Sequence, residues 1–125
     1  MTKPAVSAPT TLIFNTTLRD RTTVALVWGR QSKVIVAPVR AQELQRLAEE
    51  LLHSQELSFD DVEAVAVLTG PGSFTGVRIG VVAANTFSWL TNQPIFEIAG
   101  DDINAAVTVV RDGQLKSVRQ AQARY

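Results

Sequence analysis

The 125-residue sequence has no cysteine and a single histidine, His53. Disulfide bonds and thiolate chemistry are therefore excluded, and one histidine leaves too few ligands for the usual zinc sites. Twelve basic residues balance twelve acidic ones, which argues against a nucleic-acid-coating protein or a polybasic membrane binder. No apolar run reaches the length of a membrane span, and the first residues lack the hydrophobic core of a signal peptide. We therefore expect a cytoplasmic protein without a membrane contact.

The composition is that of an ordinary globular domain, with 46% hydrophobic and 19% charged residues. This length and composition suffice for one domain with one core. Residues 1–9 are small and polar and contain two prolines, which indicates a flexible tail. We predict a folded lobe over residues 10–113 and a polar tail over residues 114–125.

Hydrophobic patterning within the predicted lobe indicates the order β-β-β-α-β-α-β-α. Five runs rich in β-branched or apolar residues are predicted as strands: residues 10–15, 22–28, 33–37, 64–69 and 95–98. Three segments have helical spacing: residues 40–54, 74–90 and 101–110. The short gaps between the first three strands favour an antiparallel meander, and right-handed crossovers then place helices on the faces of a mixed five-stranded sheet.

A glycine-rich stretch with the sequence GPGSFTGVRIG, residues 70–80, joins the predicted core strand to the second helix. Gly70 and Gly72 permit backbone angles that a side chain forbids. Ser73 is placed to cap the free amides of the helix that follows. The stretch lacks the Gly-Lys-Ser/Thr ending of a nucleotide-triphosphate loop, so a structural role is favoured over phosphate binding.

Small residues recur on one face of that helix at steps of three and four, namely Gly76, Gly80, Ala83 and Ala84. A glycine inside a helix costs about 1 kcal/mol relative to alanine. Two of them on one face predict a close contact that offsets this cost. The contact is either with the domain's own sheet, which leaves Val77, Val81 and Phe87 pointing outward, or with another subunit.

The eleven residues GPGSFTGVRIG resemble the signature of the bacterial TsaB (YeaZ) family, and the order of elements around them is similar over roughly residues 11–106. The resemblance implies a ribonuclease H-like lobe of the actin-like ATPase superfold. It also implies an accessory role in making threonylcarbamoyladenosine in tRNA. Proteins of that family have two such lobes. The sequence leaves open whether this chain is a one-lobe variant or part of a longer chain cut at a domain boundary.

The resemblance further implies that helices 40–54 and 74–90 pair with the equivalent helices of a second subunit. That subunit is a TsaD-like catalytic protein or a second copy, with a TsaE-like ATPase as a further partner and tRNA contacted only indirectly. The residues expected at this interface lie on the two helices: Leu44, Leu47, Leu51, Gly76, Val77, Gly80, Ala83, Ala84 and Phe87.

Actin-like ATPases end their first strand with an acidic residue that helps to hold a metal–nucleotide complex, and Asn15 stands at the matching position. An amide brings no charge and is a poorer Mg²⁺ ligand than a carboxylate. The weak candidates for nucleotide contact lie around this position and in the glycine-rich stretch: Asn15, Thr16, Thr17, Gly72 and Ser73. We expect no cofactor, no metal and no catalytic residue.

The aspartates are predicted to cap helices or lie in a turn rather than to bind metal: Asp20, Asp60, Asp61, Asp101 and Asp102. The leading hypothesis is therefore a noncatalytic TsaB-like subunit that scaffolds a TsaD-like enzyme. The alternative is a diverged one-lobe homodimer that mediates protein interactions outside that pathway. An active ATPase or nuclease is the weakest hypothesis, because a two-metal nuclease needs clustered carboxylates.

Overall fold

A computed structural model describes residues 8–38, 43–113 and 117–118. Six strands are present in these stretches: β1 (Ala8–Asn15), β2 (Thr22–Gly29), β3 (Gln31–Ala37), β4 (Ala64–Leu68), β5 (Ile95–Ile98) and β6 (Ser117–Val118). They alternate with three helices: α1 (Leu44–Ser54), α2 (Phe74–Thr91) and α3 (Ile103–Arg111). A 3₁₀ turn, Phe59–Asp61, precedes β4.

The strands form one mixed sheet in the order β3-β2-β1-β4-β5-β6. The first three strands pair antiparallel as a meander, whereas β4 runs parallel to both β1 and β5. The predicted five-stranded α/β lobe is confirmed. The two-residue β6, which pairs antiparallel with β5, was not predicted because two residues are too few to show an alternating pattern.

The centre of the sheet is apolar on both faces because helices cover both. Leu12 and Phe14 of β1 point to the face that carries α1 and α2. Ile13, between them, points to the face that carries α3, as the two-residue period of a strand requires. All five residues of β4 are buried, which is typical of a central parallel strand. Because β1 and β4 are neighbouring parallel strands, their carboxyl ends lie side by side.

Most element boundaries match the predicted ones to within two residues. Strand β1 begins at Ala8 instead of residue 10. Helix α1 is described from Leu44, and its predicted start at residue 40 lies outside the described residues. The predicted tails, residues 1–9 and 114–125, lie mostly outside the described residues, as do residues 39–42. None of the helices in the described ranges combines the length and hydropathy needed to cross a bilayer.

Candidate functional site

Two loops meet at the carboxyl ends of β1 and β4, and together they hold all five of the weak nucleotide candidates. The Ser73 backbone N–H donates to the Thr17 carbonyl oxygen at 2.7 Å. The Thr16 hydroxyl donates to the Gly76 carbonyl oxygen at 2.6 Å. The Ser73 side chain caps α2 as predicted, accepting from the Gly76 N–H. The polar groups of the two loops are thus bonded to each other.

Asn15 is the centre of this network, and its side chain is 2% exposed. Its Oδ1 accepts from the Thr17 N–H at 3.1 Å and from the Thr17 hydroxyl at 2.6 Å. Its Nδ2 donates to the Asp101 carbonyl oxygen at 2.9 Å, which ties the first loop to the start of α3. The position that resembles a metal-binding carboxylate therefore holds a buried amide that joins the first loop to the segment before α3.

The glycines are needed because the first loop packs directly on the second loop and on α2. A Cβ added to Gly72 lies 2.6 Å from the Thr17 carbonyl oxygen. A Cβ on Gly76 collides with the Thr16 carbonyl oxygen, and one on Gly80 collides with the Thr16 hydroxyl. The close approach predicted for the small-residue face is, at these two glycines, a contact within the chain.

The actin-like fold implies a metal–nucleotide complex at this edge of the sheet, and the residues present do not fit one. The Asn15 Oδ1, one N–H of the Asn15 amide and the Thr16 hydroxyl proton are used in hydrogen bonds within the chain. The glycine loop is filled by the backbone of Thr17. The described residues contain no group of three His, Asp or Glu side chains that could hold a metal ion.

The hydrogen bonds and the ion pair that the structure shows for the aspartates are structural contacts. Asp102 caps α3, accepting from the Asn104 and Ala105 N–H groups at 2.9 and 3.2 Å, and Asp61 accepts from the Ser58 N–H. Asp20 is exposed and pairs with Arg21 at 3.3 Å. A hydrogen bond from Arg21 and its positive charge lower the pKa of Asp20.

Several of the predicted interface residues lie in the core of the chain itself. Leu44, Leu47 and Leu51 of α1 are at most 3% exposed. Val77 and Ala84 of α2 are fully buried in the same cluster. The alternative in which Val77 and Val81 point outward is wrong, because both turn toward the sheet while the neighbouring glycines face Thr16. Contact of this residue set with another subunit stays a prediction.

An apolar groove of about 310 Å³ lies between α1 and α2. Three phenylalanines form part of its lining: Phe87 lies edge-on to Phe14, with ring centroids 6.5 Å apart, and 4.8 Å from Phe59. The remaining lining residues come from the two helices: Leu44, Gln45, Ala83, Thr86, Leu90 and Thr91. Of the predicted interface residues, Leu44, Ala83 and Phe87 thus line a groove that opens to the surface.

The outer face of α2 continues this apolar surface. Val82, Trp89 and Leu90 are 61%, 80% and 69% exposed. We define the α2 surface as these three side chains together with Ala83, Thr86 and Phe87. The predicted interface set did not include these three exposed residues. The signal was present, because Val82 and Trp89 are seven residues apart and so share a face, in a helix whose only charged residue is Arg78.

The sheet order, the three covering helices and the loop geometry define a single ribonuclease H-like lobe of the actin-like ATPase fold. A family model described as "TsaD: tRNA N6-adenosine threonylcarbamoyltransferase" matches residues 35–115. The chain belongs to this family. Among solved structures, YeaZ from Pseudomonas aeruginosa superposes with a TM-score of 0.70 and 25% identity, over 83% of this chain and 50% of that one.

Curated relatives include threonylcarbamoyltransferases and a biosynthesis protein named TsaB. A tRNA N6-adenosine threonylcarbamoyltransferase from Methylobacterium nodulans is 33% identical over 79 residues, which cover 63% of this chain and 23% of the relative. The tRNA threonylcarbamoyladenosine biosynthesis protein TsaB from Bacillus subtilis is 35% identical over 72 residues, covering 58% and 31%. The chain thus spans only a quarter to a third of these relatives' length. Its resemblance to TsaB and YeaZ proteins is confirmed.

Proposed function

We propose that this lobe is a noncatalytic, TsaB-like partner in threonylcarbamoyladenosine modification of tRNA, and that it binds a TsaD-like catalytic subunit through α1 and α2. The observation that carries the proposal is the α2 surface. A helix that is apolar on nearly all sides is normally covered on all sides, yet Trp89 and Leu90 are left mostly exposed by the chain. A docked helix pair covers them.

Covering the exposed apolar side chains of α2 favours binding. Burying one large apolar side chain contributes about 1.5–3 kcal/mol, and tryptophan is among the residues that most often dominate an interface. The groove beside α2 gives the partner a concave site, with Phe87 and Phe59 in its lining. Leu44, Leu47 and Leu51 support this surface from beneath, because they hold α1 on the sheet.

The noncatalytic part of the proposal is supported by the loops at the carboxyl ends of β1 and β4. A catalytic actin-like lobe needs an open phosphate loop and a carboxylate for its metal. Here the two loops are hydrogen-bonded to each other, and the Asn15 side chain is hydrogen-bonded to Thr17 and Asp101. The lobe therefore contributes a surface for assembly, and the partner supplies the transfer chemistry.

Co-elution of the chain with the TsaD-like subunit of the same organism tests the proposal. The mixture is passed over a sizing column with and without ATP and a TsaE-like ATPase. Trp89→Ala is expected to abolish co-elution without lowering the melting temperature, since the side chain contacts little of its own chain. Val36→Ala is the matched control, because Val36 is also exposed, at 57%, but lies on β3 away from the groove.

Two results would contradict the proposal. One is failure of the unmodified chain to co-elute under all of these conditions. The other is equal loss with Trp89→Ala and Val36→Ala. If the chain forms only a homodimer that Trp89→Ala disrupts, the alternative of a diverged protein-interaction module outside the pathway replaces it.

A further inference from the structure

Another cavity, of about 380 Å³, lies on the face of the sheet that carries α3. Its floor includes a row of side chains from three neighbouring strands, Asn15, Thr23 and Val36. The adjacent row on the same face, two residues away along each strand, packs in the core with α3: Ile13, Ala25 and Val34. Because α3 begins only at Ile103, it leaves the first row uncovered.

The Thr23 hydroxyl is the unusual group in this cavity. The residue is 3% exposed, yet its side chain has no hydrogen bond within the described ranges. In the same ranges, every fully enclosed side-chain oxygen or nitrogen has a partner. The Thr23 hydroxyl therefore opens into the cavity that its side chain lines. It is available there as both a donor and an acceptor for a small molecule.

The residues before α3 give the cavity an acidic lining. Asp102 uses one carboxylate oxygen to cap α3. The Asp101 carboxylate has no ion pair or hydrogen bond within the described part of the chain. The positive end of α3 offsets only about half of one charge, and Arg21, which also lines the cavity, is already paired with Asp20 at 3.3 Å. The lining charges therefore favour a cation over an anion.

We propose that this cavity binds a small organic molecule that carries a primary ammonium group on a short apolar chain. The described residues hold no group of three His, Asp or Glu side chains for a metal ion, which favours an organic cation. Its ammonium group donates to the Asp101 carboxylate and to the Thr23 hydroxyl oxygen. Its chain covers the apolar part of the lining, which consists of Leu18, Val36 and Ile103.

The apolar contact contributes because Val36 is 57% exposed in the chain alone. A cavity of this volume limits the ligand to a small molecule. The inference is independent of the proposed function, since the cavity and the α2 surface lie on opposite faces of the sheet.

Titration of the whole chain with n-butylamine, 1-butanol and butyrate, followed by nitrogen–proton correlation NMR at pH 7, tests the proposal. Butylamine is expected to shift the backbone amide signals of Thr23 and Asp101 in a saturable way. The alcohol and the carboxylate have the same apolar chain without the positive charge, so both should bind at least about threefold more weakly. The indole signal of Trp89 reports separately on the α2 surface.

Asp101→Asn is expected to weaken butylamine binding about threefold to fivefold, as the loss of a partly exposed ion pair does. It should leave the binding of 1-butanol unchanged. Asp112→Asn is the control, because it removes one carboxylate from an exposed residue at the other end of α3, outside this cavity.

Thr23→Val tests the hydroxyl, with Thr11→Val as the matched control. Thr11 is also buried, but its hydroxyl donates to the Pro9 carbonyl oxygen at 2.6 Å and it does not line this cavity. Thr23→Val should weaken butylamine binding roughly twofold to tenfold without lowering the melting temperature. Thr11→Val should lower the melting temperature and keep the butylamine affinity.

Three results would overturn the proposal. The first is equal binding of butylamine and 1-butanol, or no butylamine binding at all. The second is an equal loss of melting temperature with Thr23→Val and Thr11→Val, because the Thr23 hydroxyl then has a partner in the fold. The third is a butylamine titration that shifts the Trp89 signal but not those of Thr23 and Asp101. None of them affects the proposed function, which depends on co-elution with the TsaD-like subunit.

Discussion

Whether Gly80→Ala raises or lowers the free energy of unfolding should depend on the residue at position 16. In the native chain a Cβ at Gly80 collides with the Thr16 hydroxyl. Overpacking of this kind costs about 1–3 kcal/mol, while the change from glycine to alanine inside a helix contributes about 1 kcal/mol of stability. Gly80→Ala alone should therefore destabilise the lobe by up to about 2 kcal/mol.

Thr16→Ala removes the colliding hydroxyl and also the hydrogen bond to the Gly76 carbonyl oxygen. Losing that bond costs about 0.5–1.5 kcal/mol. In this background the methyl group introduced by Gly80→Ala occupies the space vacated by the hydroxyl, with the Cβ of residue 16 at 3.3 Å. The second substitution should then stabilise, and the double-mutant cycle should give a favourable coupling of about 1–3 kcal/mol.

Gly76→Ala is the matched control for this cycle. A Cβ there meets the Thr16 carbonyl oxygen, which belongs to the backbone and is present whatever the side chain. Thr16→Ala should not relieve its cost. Urea unfolding followed by far-ultraviolet circular dichroism, at one fixed protein concentration, measures all five variants. Additive effects of Thr16→Ala and Gly80→Ala, or rescue of Gly76→Ala by Thr16→Ala, would refute the packing described for this loop.

Three further predictions concern the loop network and the helix termini. Asn15→Asp should destabilise the lobe by about 1–3 kcal/mol in urea unfolding, because a carboxylate oxygen then faces the Asp101 carbonyl oxygen in place of the N–H donor. The same variant should show no Mg²⁺-dependent ATP binding in calorimetry. Asp102→Ala should cost about 1 kcal/mol in the same unfolding assay, as the loss of an N-cap does. Arg21 lowers the pKa of Asp20 in the folded state. The pair therefore stabilises the folded lobe above the unfolded-state pKa of Asp20, and this stabilisation is lost as the pH falls through the folded-state pKa. Because Asp20 is exposed, Asp20→Asn should barely shift the midpoint of acid unfolding.

The fold was predictable because its elements have strong local signals. The apolar run of β4 and the leucine stripe of α1 each identify an element and its buried face. The glycine loop marks the crossover between β4 and α2, and Gly70 indeed has a φ of +90°. The ends of elements and the two-residue β6 differed from the prediction, since an element end or a two-residue strand is too short to show a period.

The site was harder to predict because a helical pattern shows which residues share a face but not what that face meets. The stripe of Gly76 and Gly80 was correctly expected to allow a close approach. Its partner, Thr16, lies sixty residues away in sequence, where no periodicity connects the two. Asn15 likewise resembled a weakened ligand, and only the structure shows it bonded to Thr17 and Asp101.

The composition of α2 gives the physical link between the fold and the proposed docking. Arg78 is the only charged residue in the eighteen of this helix. One side of α2 is covered by the sheet and by Thr16, yet Val82, Trp89 and Leu90 on its other sides remain exposed. Exposed apolar surface of this kind favours association with any partner that covers it.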